Sequence, residues 1–391
     1  MKTFITLGIL LFFTVTCFAQ IKRDTLDIEI SGRIDTTDTE VYEIYHLFKN
    51  YLESRPDSLY DNPYWNAREK RERKGANPAI FYIAFYTLDA SPKIIFSKRN
   101  WKPFILTIEK KKDQKYGLRV AFIKDTISYD KILTILNLNA MKENGKWVLE
   151  NTFNDVVNTW ITTCYKNIRY VYPKTHIFND TLAKKSVHFF DSVGAILDIK
   201  VVDTLSFYIC DNPDEMGLLF GFAYYYLNHT TGMSYLFLNQ IFSSKGNEYY
   251  PHEFVHMISK GGKGDTSNYI IQEGMACFLG EYGSEKYEWR IVKLAKDYGA
   301  NKPTYTLPVL LKNEAEWNGY QTAYPTGSVL AEIVFDKKGY AGIKALAEAN
   351  TNRPEQIYTA VRKITGLNKV AFEKEFRKKL AFHLKAFDFS K

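Results

Sequence analysis

A short stretch, HEFVH at residues 252–256, constrains the fold of this chain more than any other part of its sequence. Four residues of an α-helix advance about 6 Å and turn about 400°, so His252 and His256 would project from one helix face, one turn apart. Pro251 is tolerated in a first helical turn, which favours a helix that begins here. Glu253 lies about 100° around the same helix and faces another direction. The pair is therefore either a metal site or two histidines that share one helix face by chance.

The two histidines are suited to bind one metal ion. Imidazole nitrogens one helical turn apart can both reach a single Zn²⁺ at about 2.0–2.1 Å. Glu253 points away from that ion, yet its carboxylate can reach a water molecule on it and take a proton. The spacing predicts a hydrolytic zinc site, with a chance occurrence of the five-residue pattern as the alternative.

A catalytic zinc site needs a third protein ligand. Glu273 is the first candidate, because it lies in an apolar helical run, where a carboxylate is costly to bury without a partner. Glu281 is the alternative and lies close to the end of the same helix. Gly274 and Ala276 lack bulky side chains, which predicts that this helix packs closely against the helix that carries the histidines.

Two longer segments carry a family resemblance. The combination of HEFVH with QEGMACFLGE at 272–281 resembles the gluzincin metallopeptidases of the peptidase MA type, in which HExxH is followed by a Glu-Gly-x-Ala helix. The segment YPTGSVLAEIVFDKKG at 324–339 is similar to the Tyr-x-x-Gly helix start of aminopeptidase-N-like enzymes. The resemblance covers about residues 200–390. It implies one Zn²⁺ per chain on His252, His256 and Glu273, with Glu253 as general base. It also implies that Tyr324 donates to the oxyanion, with Tyr320 as the alternative.

The stretch GMSYLFLNQIFS at 232–243 is predicted to be a strand directly before the histidine helix. The resemblance implies that it is the edge strand that receives an extended substrate, since an open edge can pair with any peptide backbone. Aminopeptidase-N-like enzymes carry Gly-x-Met-Glu-Asn here, and its glutamate holds the free amine of the substrate. This stretch has no glutamate, so we expect an endopeptidase. An ordinary strand without a substrate is the alternative.

Two other functions remain open. The chain could be a binding module whose gluzincin site has lost its activity, or a zinc hydrolase that acts on a non-peptide substrate. The intact Glu253 favours an enzyme, because a structural zinc ion has no use for a general base. We expect a peptide or protein substrate, and the sequence indicates no particular partner protein. The net charge of +8 is spread along the chain and does not favour nucleic-acid binding.

Residues 1–19 are predicted to be a signal peptide. Lys2 supplies the positive start, an apolar run at 4–15 follows, and Cys17-Phe18-Ala19 forms a cleavage site. The apolar run is shorter than the ~20 residues that a membrane span needs. We therefore expect an exported protein, periplasmic or extracellular, without a transmembrane segment in its mature form. The cysteines that remain, at 164, 210 and 277, allow at most one disulfide.

The pattern of elements predicts an α+β fold with two domains, since 391 residues exceed an ordinary single core. In the accessory domain, residues 20–154, a helix at 37–56 precedes strands at 80–88, 104–110, 116–123, 132–140 and 146–153. Asn144 and Gly145 predict a tight hairpin between the last two strands. A helix followed by a curled antiparallel sheet loosely resembles the NTF2-like cone.

The second domain, residues 155–391, is the predicted zincin domain. Its upper part, 155–283, is expected to contain the zinc-binding helices and four earlier elements: a helix at 156–166, a strand at 204–210, a helix at 214–227 and the strand at 232–243. Its lobe at 284–391 is predicted to be mostly helical, with Gly299 and Gly339 at helix ends.

Overall fold

The computed structural model describes residues 28–53, 62–72, 101–112, 114–124, 131–199, 204–225, 231–260, 267–298, 305–312 and 322–387. Helices and two open sheets share this part of the chain, so the predicted α+β class is confirmed. The predicted signal peptide at 1–19, the predicted strand at 80–88 and Tyr320 lie outside the described residues.

The described elements are a mixture of helices and strands up to residue 243 and are helical afterwards. The strands are β1 (Glu29–Ile30), β2 (Trp101–Lys110), β3 (Tyr116–Lys124), β4 (Ile132–Glu143), β5 (Lys146–Asn151), β6 (Ile161–Tyr165), β7 (Ile168–Tyr172), β8 (Leu205–Ile209), β9 (Phe222–Tyr225), β10 (Gly232–Tyr235) and β11 (Gln240–Ser243). The helices are α1 (Thr39–Glu53), α2 (Ala67–Glu72), α3 (Phe153–Val157), α4 (Asp180–Leu197), α5 (Pro213–Leu219), α6 (Pro251–Lys260), α7 (Tyr269–Glu281), α8 (Glu285–Asp297), α9 (Leu307–Leu311), α10 (Ala323–Glu348), α11 (Pro354–Thr365) and α12 (Lys369–Ala386).

The first sheet has the strand order β1-β2-β3-β4-β5, with β9 paired to β4. The predicted helix at 37–56 and the last four predicted strands of this region are confirmed as α1 and β2 to β5. Asn144 and Gly145 both have positive φ, 51° and 76°, as a tight β4–β5 hairpin requires. Helix α1 turns Ile44 and Phe48 into the core beside this sheet.

The second sheet has the order β10-β11-β8-β7-β6 and is covered on both faces. In β8, Phe207 and Ile209 belong to the core that contains Phe254 of α6, whereas Tyr208 belongs to the core of the first sheet. Successive side chains of a strand point to opposite faces. A strand buried on both faces therefore needs a continuous apolar run, which explains the sequence of the confirmed strand at 204–210.

Two predicted helices before the histidine motif are wrong. The helix expected at 156–166 ends at Val157 in α3, and 161–165 form β6, because the β-branched Ile161 and its threonine neighbours pair with β7. The helix expected at 214–227 ends at Leu219 in α5. Gly221 follows with a φ of 89°, and the chain then enters β9 against β4.

The single strand expected at 232–243 is also wrong, because the stretch folds into a β10–β11 hairpin. Leu236–Leu238 form a 3₁₀ turn, and Asn239 follows in the left-handed conformation with a φ of 52°. Strand β10 is the edge of the second sheet among the described strands, and β11 lies inside it, parallel to β8. Of this stretch, only the four residues of β10 therefore lie at a sheet edge among the described strands.

The region after residue 284 is helical in its described part, as predicted. Helix α10 bends at Gly339, whose φ is 59°, at the place predicted for a helix end. The short helix α9 was not predicted. None of the helices in the described ranges combines the length and the apolar character that crossing a bilayer requires.

The first sheet continues across residue 155, where the sequence divides into two predicted domains. Strand β9 pairs with β4, and Phe242 of β11 packs with Phe153 in the core of the first sheet. The division of the chain into an accessory and a zincin domain stays a prediction.

Candidate metal centre

Helix α6 places the two histidines of the HEFVH motif on one face. The Nε2 atoms of His252 and His256 lie 3.2 Å apart. The rings meet edge to face, with centroids 4.9 Å apart. Phe254 and Val255, on the other side of the helix, are fully buried in the apolar core. The core therefore fixes the rotation of the helix, and with it the direction of both imidazoles.

Helix α7 brings Glu273 to both imidazoles. Its Oε2 atom lies 3.2 Å from Nε2 of His252 and 3.4 Å from Nε2 of His256. These three side chains form a group that could hold a metal ion, and Glu273 is 9% exposed. The structure thus brings together the three residues that the sequence selects as ligands. Their role as ligands stays a prediction.

Glycines set the distance of α7 from its two neighbours. A Cβ on Gly280 would lie 2.9 Å from the backbone N of His252, so α7 touches the start of α6 at this point. A Cβ on Gly274 would lie 2.1 Å from the carbonyl carbon of Gly327 in α10. The predicted close packing of α7 against α6 is confirmed, but its attribution to Gly274 is wrong, because Gly280 serves that contact and Gly274 faces α10.

The electrostatics of Glu273 favour its charged form. Burial alone raises the pKa of this carboxyl, but the charge and hydrogen bonds of His256 and His252 outweigh burial, and the net shift is downward. A carboxylate that stays ionised while buried between two imidazoles can act as an anionic ligand for a cation.

The other ring nitrogen of His252 faces a second group of side chains. Its Nδ1 lies 3.8 Å from Sγ of Cys277 and 3.7 Å from Oε1 of Glu281. These two residues and His252 form another group that could hold a metal ion. Arg290 and Lys286 already contact Glu281, at 2.9 Å and 3.3 Å.

Two facts make this second group the weaker candidate. Burial raises the pKa of the Cys277 thiol, so the thiolate that a metal needs is disfavoured. The guanidinium of Arg290 also occupies this second group, where it contacts Sγ of Cys277 and Oε2 of Glu281. Glu281 is therefore better placed behind His252, where its carboxylate lies 3.7 Å from Nδ1 and acts on the imidazole through its charge rather than through a hydrogen bond. The cysteines at 164, 210 and 277 are all free thiols.

Glu253 faces the edge strand of the second sheet. Ser234 of β10 donates a hydrogen bond of 2.6 Å from its hydroxyl to Oε2 of Glu253. The same hydroxyl lies 3.3 Å from the carbonyl oxygen of Glu253. The carboxylate is 6% exposed and is not part of either possible metal group among the described residues. The expected turn of Glu253 away from the metal ligands agrees with this placement.

Tyr324 lies in the first turn of α10 and packs against the ring of His252. Its ring centroid lies 5.8 Å from that of His252, and the guanidinium of Arg290 stacks 4.5 Å from the centre of the tyrosine ring. Burial raises the pKa of Tyr324, and the charge of Glu273 raises it further. The phenol therefore keeps its proton and can act as a hydrogen-bond donor.

Sequence reasoning did not identify Ser234 or Arg290. Arg290 lies on α8, a helix with the ordinary spacing of an amphipathic surface helix, and nothing in that pattern sets it apart from the neighbouring basic residues. Ser234 lies in a strand, and only its two-residue spacing from Gly232 and Leu236 could have indicated a position facing α6. Neither signal is specific.

The other described histidines lie away from the metal centre. His176 contacts Glu248 at 2.8 Å, and His383 contacts Glu288 at 2.6 Å and Glu332 at 2.8 Å. Neither belongs to a possible metal group in the described part of the chain. Comparison with protein-family models and with curated proteins finds no match for this chain.

Proposed function

We propose that this chain is an exported zinc-dependent peptidase of the gluzincin type, an endopeptidase that hydrolyses peptide or protein substrates. The proposal rests on one observation above all, the convergence of His252, His256 and Glu273. Donor atoms about 2.0–2.1 Å from a tetrahedral zinc ion lie about 3.3–3.4 Å from each other. The three separations in the structure are 3.2, 3.2 and 3.4 Å.

The chemical nature of the three donor atoms also supports zinc, in addition to their spacing. Two neutral imidazoles and one carboxylate are the His₂Glu set of catalytic zinc sites, which keep the fourth position open. When bound, Zn²⁺ lowers the pKa of a coordinated water toward about 7 and polarises a carbonyl oxygen. Glu281, whose Oε1 lies 3.7 Å from Nδ1 of His252, would support this imidazole through its negative charge.

Glu253 is the proposed general base. Its Oε2 atom already accepts the bond from Ser234, which leaves Oε1 to take the proton of the attacking water. The same carboxyl would then pass this proton to the leaving amine. A positioned acid–base group of this kind contributes about 10²–10⁴-fold to the rate.

Tyr324 is the proposed donor to the oxyanion. It lies against the ring of His252, and its raised pKa keeps the phenol protonated. A donor aimed at the developing negative charge typically contributes a few kcal/mol, about 3–4 in measured cases. Tyr320, the alternative donor, lies outside the described residues.

Strand β10 is the proposed place for an extended substrate. It is the edge of its sheet in the described part of the chain, and it lies against α6 through the Ser234–Glu253 contact. A substrate added to this edge would pair through its backbone, whatever its sequence. A peptide bond held there would lie beside the carboxylate that takes the proton.

The decisive experiment compares purified wild type with Glu253→Gln. The substitution keeps the size of the side chain and removes the basic carboxylate, so zinc content and folding should stay at the wild-type level. Cleavage of an unfolded protein substrate should fall by about 10²-fold or more. Glu285→Gln is the matched control, because Glu285 is exposed at the start of α8 and should leave cleavage unchanged.

The two rival functions predict different results. An inactive binding module predicts no cleavage by the wild type, so that the substitution has nothing to remove. A non-peptide zinc hydrolase predicts the same loss, but on another substrate. Zinc-loaded wild type that cleaves nothing in a broad peptide library would refute the peptidase. Removal of zinc by a chelator should abolish cleavage, and added Zn²⁺ should restore it.

A further inference from the structure

We infer that Ser234 is a positioning residue that holds the carboxylate of Glu253 in one orientation toward the substrate. The inference rests on the proposed function, because it assigns a role within the same site. It adds a residue from the edge strand to a site that otherwise consists of side chains from helices. The observation that carries it is the hydrogen bond of 2.6 Å from the hydroxyl of Ser234 to Oε2 of Glu253.

The contact is short and partly buried, and its acceptor, Glu253, belongs to neither possible metal group among the described residues. Glu253 is buried, and Ser234 is partly buried. The same hydroxyl also lies 3.3 Å from the carbonyl oxygen of Glu253, so the serine contacts both the side chain and the backbone of this residue. A hydroxyl held at two points of one residue restrains the rotation of its side chain.

The strand that carries Ser234 is itself held firmly against the start of α6. A Cβ on Gly232 would lie 2.0 Å from the ring of Tyr250, so the strand backbone rests directly on that ring. The hydroxyl of Tyr250 lies 2.9 Å from Oγ1 of Thr231. Tyr250 directly precedes α6. The backbone of β10 therefore has a defined position relative to the helix. The hydrogen bond from Ser234 fixes the carboxylate of Glu253 relative to that backbone.

A glutamate needs such a restraint if it is to act as a base. Its side chain has three rotatable torsions, and each must take one value before the proton can move. Catalysis depends on reacting atoms being held about 3–3.5 Å apart with aligned orbitals. Because Ser234 occupies Oε2, it presents Oε1 to the water in a single geometry. The strand that would bind substrate thus also aligns the base.

The kinetic experiment uses Ser234→Ala, Ser234→Thr and a control serine. Ser234→Ala should lower kcat about tenfold, while KM stays within about twofold and zinc content is unchanged. Ser234→Thr keeps a hydroxyl on a strand residue and should recover most of the lost kcat. Ser259→Ala is the control, since Ser259 lies on α6 and its hydroxyl donates to the backbone oxygen of His256, at 3.3 Å, rather than to a carboxylate.

A double-substitution cycle separates positioning from general packing. Because Ser234 acts through Glu253, Ser234→Ala should lower the residual rate of Glu253→Ala no further. Alanine is used here since glutamine could still accept the bond. A Ser234→Ala protein with wild-type kcat would overturn the inference. So would a double variant whose fold loss in rate equals the product of the losses in the two single variants.

A second readout does not depend on activity. Urea unfolding of wild type, the two single variants and the double variant should reveal a coupling of about tenfold or more in the unfolding equilibrium constant, as a hydrogen bond to a charged group gives. Coupling below twofold overturns the inference, whatever the activity. A wild type that cleaves no peptide but retains this coupling refutes the proposed function and supports the contact between the two residues.

Discussion

At the residue scale, His252 uses both nitrogens of its ring, and each nitrogen faces a different glutamate. Nε2 faces Glu273 at 3.2 Å, and Nδ1 faces Glu281 at 3.7 Å. The two carboxylates differ in their other neighbours. Among the described residues, His252, Arg290 and Lys286 offset the charge of Glu281, whereas His256 and His252 offset that of Glu273. A cation that enters the centre therefore interacts more favourably with the carboxylate of Glu273 than with that of Glu281.

The two glutamates give the prediction at this scale. Glu273→Ala should reduce bound zinc well below one ion per chain, because two protein ligands rarely hold the ion. Glu281→Ala should retain one ion per chain with an affinity about 10- to 100-fold lower, the usual effect of losing a partner behind a ligand. Metal analysis after dialysis measures both, with Glu285→Ala as the control. If Glu281→Ala loses the ion and Glu273→Ala retains it, the metal site is the second group, His252, Cys277 and Glu281.

At the scale of elements, α7 is held between α6 and α10 by contacts that have no room for a side chain. A Cβ on Gly327 would lie 1.9 Å from the carbonyl oxygen of Ile270, and Gly274 meets Gly327 from the other side. These are backbone atoms, so they cannot move aside as a flexible side chain can. The close crossing sets the depth at which Glu273, next to Gly274, reaches the histidines.

Substitution of these glycines should therefore destabilise the protein and loosen the metal site together. We expect Gly274→Ala and Gly327→Ala each to lower the free energy of unfolding by about 2–3 kcal/mol, as overpacking of a tight core does. Gly32→Ala is the control, since a Cβ there meets nothing within 4 Å and no left-handed φ is involved. Chemical unfolding with zinc titration measures both effects. Wild-type stability of Gly274→Ala and Gly327→Ala would contradict the close crossing of α7 and α10.

At the scale of the whole molecule, the second sheet is the central layer. Its β7, β8 and β11 turn one set of residues toward α4 and α6 and the alternate set toward the core of the first sheet. Tyr208 and Phe242 stack with centroids 4.6 Å apart on the side of the first sheet. The candidate metal centre therefore lies on a sheet that is supported from behind by the N-terminal part of the chain.

The pH dependence of global stability should reflect a buried ion network in the helical lobe. His383 of α12 contacts Glu288 of α8 and Glu332 of α10, and Lys379 contacts Glu332 at 2.7 Å. Burial alone lowers the pKa of His383, but hydrogen bonds to the two carboxylates outweigh burial and raise the pKa to about 9. A folded pKa above the unfolded value of about 6.5 means that protonation stabilises the fold.

This contribution should be fully present below about pH 6.5 and lost as the pH rises through about 9. We expect the free energy of unfolding of wild type to fall by about 2–3 kcal/mol more than that of His383→Gln over this range. Urea unfolding at pH 6, 7.5 and 9.5 would measure the difference. His188→Gln, at an exposed position, should follow wild type. Parallel curves for wild type and His383→Gln would contradict a charged His383 in the fold.

The amino-acid sequence by itself determined the features that depend on a few neighbouring residues. The α+β class, the hairpin at Asn144 and Gly145 and the histidine face of α6 follow from local periodicity and backbone sterics, as does the break in helical backbone at Gly339, which the sequence predicted as a helix end. The burial cost of a lone carboxylate also predicted a partner for Glu273, and both imidazoles lie within 3.4 Å of it. These signals act over one or two helical turns, or within one β-turn.

Only the tertiary structure decided which surfaces meet. The sequence of 214–243 contains the residues of β9, β10 and β11, but the places where the chain breaks into short strands depend on β4 and β8, which lie far away in sequence. The same holds for Gly274, which faces α10 rather than α6, and for Ser234, whose partner Glu253 is on another element. Strand pairing and helix crossing are decided by long-range contacts and the burial that they allow, and no local pattern encodes them.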